Sequence, residues 1–344
     1  MQLPLPRGPV TERLVEVLRA GAAPLVGRGD VAPLVRRGDV ADPIADDDLQ
    51  LALWICYELH YRGFEGVAPE REWDLRVLEL RRELEAAFLG SLRRQAHVPP
   101  GDAPVSERLT ALVDVDDGPP ISRFLQRRAS RAQFEEFAIH RSVYQLKEAD
   151  PHSWAIPRLA GRAKAALVEI QADEYGSGSA ARMHSELFRA TLRGLGLEDA
   201  YGCYVDIVPA VTLATSNVIS LFGLHRELRG ALVGHLAAFE MTSSIPNRRY
   251  SQGLRRLGAE EATRRFYDVH VTADALHEQL AAYDLCGGLV AEEPALTEDI
   301  LFGAACCLYL DNRFAAEVLR DWSAGCSSLR RVPSTATPIA ADVS

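Results

Sequence analysis

The chain contains 344 residues, of which 47% are hydrophobic and 25% are charged. This composition is typical of a globular protein and excludes a disordered chain, a small disulfide-stapled domain and a coiled-coil rod. A formal net charge of −10 argues against nucleic acid and membranes as partners, because binding to phosphates requires clustered positive charge. The sequence has neither an apolar run long enough to span a membrane nor the pattern of a signal peptide, so we expect a cytoplasmic protein.

Two nearly identical nonapeptides occupy much of the N-terminal region. Ala23–Val31 and Ala32–Val40 differ at a single position, and each copy contains proline and glycine. These residues interrupt helices, and two copies are too few to build a solenoid. The sequence therefore predicts a flexible N-terminal extension over residues 1–45 and, from its Pro, Ser and Thr content, a flexible tail over residues 329–344.

Helical periodicity dominates the rest of the chain, and no segment alternates convincingly with a period of two. The apolar spacing predicts helices over residues 46–61, 73–94, 120–148, 158–195, 209–222, 226–243, 256–285 and 297–324, with a linker over 97–117. The joints between these helices are short and contain glycine or proline, which favours an all-α bundle. We expect residues 46–120 to form N-terminal helices that pack on a core bundle over residues 121–328.

The sharpest chemical pattern is a helical segment with two histidines and one aspartate. His270, Asp274 and His277 follow the spacing i, i+4, i+7, which places them within about 40° of one line on a helix. A solvated polar stripe is the alternative, but the same face continues through Leu280 and Ala281, and histidines that face a core without partners are costly. The pattern therefore predicts half of a metal site.

A second candidate ligand lies alone in an apolar helix. Glu240 is the only acidic residue between Leu232 and Arg248. A carboxylate in such surroundings is either buried with a partner or bound to a metal, because an isolated buried charge is unstable. Since a metal in a helical bundle takes ligands from facing helices, we favour the role of ligand.

Glu174 and His184 flank a segment that contains two glycines. In an ideal helix a spacing of ten residues would leave the two side chains about 80° apart. Both can point inward only if the helix is overwound or bulged near the glycines. Glu169 and Asp173 are rivals for the acidic position, and periodicity alone does not reject them.

Taken together, these residues resemble the ligand series of the haem-oxygenase-like dimetal oxidases, the non-haem di-iron branch of that helical fold. The family has the order Glu, His, a lone Glu on a later helix, and then His-x-x-x-Asp-x-x-His. Here the gap from Glu174 to His184 is 10 residues and the gap from Glu240 to His270 is 30, which matches the family spacing. Some members have an earlier glutamate, and Glu148 stands at that position, 26 residues before Glu174.

The resemblance covers about residues 125–325 and implies a haem-oxygenase-like helical bundle to which this chain adds N-terminal helices. It also implies seven metal ligands, which are Glu148, Glu174, His184, Glu240, His270, Asp274 and His277. Four carboxylates and three imidazoles suit two iron ions with open positions for dioxygen as a co-substrate. No motif for a flavin, a haem or a nicotinamide is present, so electrons would come from an external donor or from the substrate.

Members of this family oxygenate amine nitrogens, desaturate, or cleave C–C bonds of substrates related to amino acids and fatty acids, commonly in natural-product pathways. The resemblance implies a monooxygenase that oxidises an amine of a small amino-acid-derived molecule. Oxidative C–C cleavage or desaturation at the same site is one alternative, and a helical metal-binding or interaction module without turnover is another. Arg141, Tyr175 and Arg182 are candidate pocket residues, because a substrate carboxylate needs a cation or a hydroxyl. The sequence leaves open whether the chain forms a homodimer.

Overall fold

The computed structural model describes residues 1–20 and 41–331, apart from the side chains of residues 272–276. The nonapeptide repeat and residues 332–344 lie outside the described part of the chain. Within it there are fourteen α-helices, several of them separated by 3₁₀ turns, and no β-strand occurs among these residues. This confirms the prediction of an all-α protein.

The helices are α1 (Pro9–Arg19), α2 (Asp47–Glu58), α3 (Leu75–Gln95), α4 (Val105–Asp114), α5 (Ile121–Arg127), α6 (Arg131–Gln145), α7 (Asp150–Ser153), α8 (Gly161–Glu174), α9 (His184–Leu195), α10 (Ala210–Leu224), α11 (Arg229–Arg256), α12 (Glu261–Gln279), α13 (Gly287–Glu292) and α14 (Thr297–Ser323). A π-helical turn over Leu280–Cys286 joins α12 to α13.

The beginning of the chain differs from the predicted flexible extension, because α1 is a packed helix. Val10, Leu14 and Leu18 lie on its inner side and are buried. The carboxylate of Asp48 in α2 accepts hydrogen bonds from the backbone N–H groups of Val10 (2.8 Å) and Thr11 (2.9 Å). These bonds satisfy donors that the first turn of a helix leaves unpaired, so α2 stabilises α1.

The predicted linker over residues 97–117 also differs from the structure, since about half of it is α4. This helix buries Val105, Leu109 and Leu112. Its apolar residues recur at helical spacing, but the prolines on either side suggested a loop. Residues 46–120 therefore contain three helices, and their apolar side chains belong to the same continuous core as those of α10, α11 and α14.

The centre of the molecule is α11, which packs against α12 on one side and α14 on another. Two glycines allow the backbones of α11 and α14 to touch. A Cβ atom on Gly234 would lie 1.7 Å from the carbonyl oxygen of Ile300, and one on Gly303 would lie 1.9 Å from that of Ala231. No larger residue fits at either position without separating the helices. Among the described residues, no helix combines the length and the apolar character needed to cross a membrane.

Candidate metal centre

Glu174 and His184 lie at the facing ends of two separate helices. Glu174 is the last residue of α8 and His184 is the first residue of α9, with two short 3₁₀ turns between them. The prediction of one continuous helix over residues 158–195, overwound or bulged near the glycines, is therefore wrong. Gly176 has a positive φ of 65°, and a Cβ there would lie 2.6 Å from the backbone of Arg182 and Met183. The glycine thus allows the break that brings both side chains inward.

Four buried side chains form a first group of potential ligands, which we call the Glu148 cluster. It consists of Glu148, Glu174, His184 and His270, and each offers a ligand atom within 4.8 Å of the others. Nδ1 of His184 lies 2.8 Å from Oε2 of Glu174, and Nε2 of His270 lies 3.7 Å from Oε1 of Glu148. The donors converge from α8, α9, α12 and the turn after α6.

A second group, the Glu240 cluster, consists of Glu174, Glu240 and His277. Its ligand atoms also lie within 4.8 Å of one another. Nδ1 of His277 lies 3.5 Å from Oε2 of Glu240 and 3.8 Å from Oε1 of Glu174. Glu174 therefore belongs to both clusters, and its two oxygens face different groups of ligands.

The structure thus brings together six of the seven residues predicted as ligands. The seventh, Asp274, lies on α12 between His270 and His277, and its side chain is outside the described part of the structure. Its role as a ligand stays a prediction.

Hydrogen bonds on the outer side of two imidazoles orient them toward the clusters. Nδ1 of His270 donates to the carbonyl oxygen of Phe266 (2.7 Å), which leaves Nε2 directed at Glu148. Nε2 of His277 lies 3.2 Å from Oδ2 of Asp173, which leaves Nδ1 for the Glu240 cluster. Such outer partners are typical of metal-binding histidines.

These contacts also separate the rival acidic residues of α8. Asp173 contacts the outer nitrogen of His277, Glu174 faces both clusters, and Glu169 is exposed. Sequence periodicity could not make this distinction. Asp173 and Glu174 are adjacent at the end of α8, and the direction of each side chain depends on how the chain leaves the helix.

The electrostatics of the centre fit bound cations. Burial raises the pKa of Glu148 and of Glu240. Burial alone would lower the pKa of His277, but the carboxylates of Glu240, Asp173 and Glu174 raise it to about 9. Oε2 of Glu148 is buried and has no hydrogen-bond partner among the described residues. Buried carboxylates without enough partners are costly unless a cation joins them, so the donor set fits two iron ions.

Access to the Glu148 cluster is through a cavity of about 540 Å³ bounded by α5, α6, α9, α11, α12 and α14. One stripe of α6 lines it, formed by Phe137, Arg141, Gln145 and, just beyond the helix, Glu148. His270 lies at the same inner end of the cavity.

Of the three candidate pocket residues, Arg141 lines this cavity and the other two do not. The hydroxyl of Tyr175 donates to Oδ1 of Asp150 (2.9 Å), and Arg182 is exposed to solvent. The structure instead adds Gln145 and Tyr267, which line the cavity with a buried amide oxygen and a buried hydroxyl that have no hydrogen-bond partner among the described residues. The spacing of Gln145 from Arg141, one helical turn, was the sequence signal that could have identified it.

Comparison with known proteins identifies the family. Residues 135–312, slightly more than half of the chain, match the family described as iron-containing redox enzyme. The chain belongs to this haem-oxygenase-like family, which confirms the resemblance seen in the ligand motif, and it is an oxidoreductase.

A curated relative is the nitrosourea synthase of Streptomyces achromogenes subsp. streptozoticus. It is 27% identical to this chain over 165 residues, which are 48% of this chain and 34% of the relative. The match therefore spans about a third of the length of that relative.

Proposed function

We propose that this protein is a non-haem di-iron monooxygenase that oxidises an amine nitrogen of a small amino-acid-derived substrate in natural-product biosynthesis. The observation that supports it best is the pair of buried ligand clusters that share Glu174. A shared carboxylate is the arrangement expected for two metal ions side by side in a helical bundle. The name of the matched relative, nitrosourea synthase, denotes a nitrogen-oxidised product and supports the choice of an amine.

Each cluster would hold one iron. The Glu148 cluster supplies two carboxylates and two imidazoles, and the Glu240 cluster supplies two carboxylates and one imidazole, with Asp274 as a predicted further ligand. When bound, the two irons supply the redox chemistry with dioxygen. Asp173 and the carbonyl of Phe266 hold the imidazoles of His277 and His270 in position, so the protein part of the site is preorganised.

The cavity offers charged partners for a zwitterion at Arg141 and Asp311. Arg141 donates to Oδ1 of Asp311 (2.9 Å), and its guanidinium lies 4.8 Å from the ring centroid of Phe314. A substrate carboxylate could bind the guanidinium while a substrate ammonium group approaches Asp311. Polar side chains continue inward from this pair, whereas a long alkyl chain would require an apolar channel.

Two polar atoms nearer the Glu148 cluster favour a substrate with N–H groups. The amide oxygen of Gln145 can accept a hydrogen bond from a substrate nitrogen, and the hydroxyl of Tyr267 can donate or accept one. Gln145, the last residue of α6, lies between Arg141 and Glu148 along the chain, so a molecule anchored at Arg141 would extend its far end toward Glu148 and His270. The rings of Phe137, Phe188 and Phe239 line the same cavity and limit the entry of water.

The reaction balances as R–NH₂ + O₂ + 2 e⁻ + 2 H⁺ → R–NHOH + H₂O, with the electrons from an external donor. The test is anaerobic loading with ferrous iron, followed by ¹⁸O₂, a chemical reductant, and matched panels of amino acids and fatty acids. We expect an N-hydroxylated amino acid that contains one ¹⁸O atom. An alkene or a shortened product would instead establish desaturation or C–C cleavage, and the absence of every product would favour a non-catalytic metal-binding module.

The partners expected from the sequence stay part of this proposal. They are a small-molecule substrate and an external electron donor, without nucleic acid or membrane, in a cytoplasmic protein. A homodimer would be detected by light scattering of the iron-loaded chain.

A further inference from the structure

We propose that a buried ion pair between Lys147 and Glu58 positions Glu148 and thereby controls the metal affinity of the Glu148 cluster. This inference rests on the di-iron function proposed above. It assigns a role at the metal centre to α2, which lies outside the stretch that matches the family.

The ion pair is completely enclosed. The side chain of Lys147 is 1% exposed and that of Glu58 is 0% exposed, with Nζ and Oε1 2.5 Å apart. The other oxygen of Glu58 accepts a hydrogen bond from the hydroxyl of Tyr201 (2.7 Å), and the ammonium lies 4.7 Å from the ring centroid of Tyr61. Both charges are therefore well partnered.

Such a pair contributes little to stability when it is compared with apolar residues of similar size, because desolvation offsets the attraction between the charges. Its effect is directional, since a charged hydrogen bond fixes the orientation of both partners.

The backbone around Lys147 is the part of the structure that depends on this orientation. Lys147 and Glu148 belong to a four-residue turn between α6 and α7, outside regular helix. The next residue, Ala149, has a φ of 72°, a conformation that is unfavourable for residues other than glycine and persists only where the surroundings impose it. Regular helical hydrogen bonds do not determine the direction of Glu148, so contacts on either side of it must do so.

Those contacts come from two different helices. On one side the side chain of Lys147 is held by Glu58 at the end of α2. On the other side the carbonyl of Ala149 accepts a hydrogen bond from Nε2 of Gln171 in α8 (2.8 Å). Glu148 lies between these two anchors and faces His270. Loss of the Lys147 anchor would free the turn on one side.

The effect should be confined to one cluster. Glu148 belongs only to the Glu148 cluster, whereas Glu240 and His277 are held by α11 and α12. The inference therefore predicts selective loss of one of two bound metals.

The experiment uses the full chain with Co²⁺ as the probe, titrated calorimetrically and by visible absorption, with circular dichroism to establish folding. The variants are Lys147→Met and the double variant Glu58→Met/Lys147→Met, which removes both charges without leaving one unpaired. The matched control is Glu85→Gln, because Glu85 is another buried carboxylate that contacts basic side chains, Arg81 (3.4 Å) and His225 (2.9 Å), and it lies in α3, outside both clusters.

We expect the wild type and the control to bind two Co²⁺ ions. The double variant should fold, retain one ion, and bind the second at least tenfold more weakly, with loss of the absorption bands of one site. A folded double variant that binds both ions with unchanged affinity and spectrum would overturn the inference. An unfolded double variant would also overturn it, because the pair would then serve the whole fold. A wild-type chain that binds fewer than two ions would instead refute the di-iron function itself.

Discussion

The shared position of Glu174 predicts an unequal response of metal binding to substitution of the ligands. Glu174→Ala removes a carboxylate from both clusters, whereas Glu240→Ala removes one only from the Glu240 cluster. The first variant should lose both metals and the second should lose one. Glu169→Ala is the matched control, because Glu169 lies on the same helix as Glu174 and is exposed.

The size of the effect can be estimated from the number of sites. At a free metal concentration about 100 times the dissociation constant, each bound metal adds about 2.7 kcal/mol to the free energy of unfolding, and two add about 5.4 kcal/mol. For the roughly 300 residues that the structure describes, the entropy of unfolding near the transition is on the order of 0.65 kcal/mol per kelvin. Metal should therefore raise the Tm of the wild type by about 8 °C and that of Glu240→Ala by about 4 °C.

The assay is thermal unfolding followed by circular dichroism, with and without saturating Co²⁺, for the three variants and the wild type. The control should show the full shift, and Glu174→Ala should show almost none. If Glu174→Ala kept the shift of one site, Glu174 would serve a single metal, and the inference of a shared carboxylate would be refuted.

Three further predictions concern substrate binding, the outer contacts and pH. Arg141→Met should raise the KM for an amino-acid substrate at least tenfold with a smaller change in kcat, because its guanidinium lines the cavity one helical turn from Gln145 and would bind the substrate carboxylate, and Arg182→Met should have no effect in the same steady-state assay. Asp173→Asn should weaken the binding of one of two Co²⁺ ions about 10–100-fold in calorimetry, since it removes the carboxylate that contacts His277; equal weakening of both ions would contradict this. Burial lowers the pKa of His140 from 6.5 to about 3, so the unfolded chain takes up a proton below pH 6.5 that the folded chain excludes, and stability falls as the pH falls. Between pH 7 and pH 5, His140→Gln should therefore lose about 2 kcal/mol less stability than the wild type, as measured by urea unfolding. A variant that loses as much stability as the wild type would refute this assignment.

The fold and part of the candidate metal centre could be predicted because their signals are local, whereas Glu148 was assigned only through the family resemblance. Apolar residues at helical spacing indicated a helical bundle. The predicted helix that carries His270 and His277 is present as α12. Glu240 was recognisable because it is a single acid in an apolar helix, and the structure buries it. Each of these inferences depends only on the geometry of one helix.

The remaining features depend on contacts between distant segments. The break between Glu174 and His184 was hidden because helical periodicity is strong on both sides of it. Lys147 and Glu58 are 89 residues apart, and no local pattern identifies them as partners. The helix α1 was missed because the prolines and glycines of the surrounding sequence were weighed above the regular spacing of its apolar residues.

The contact between α11 and α14 at Gly234 and Gly303 has a consequence for the evolution of specificity. Both helices form walls of the cavity, and their backbones already touch at these glycines. The walls cannot move closer, and moving them apart would disrupt the core. On the α11 and α14 side of the cavity, a change in the size of the accepted substrate must therefore come from exchange of side chains such as Asn247 or Cys307, so relatives with different substrates should differ there while the crossing of these two helices stays constant.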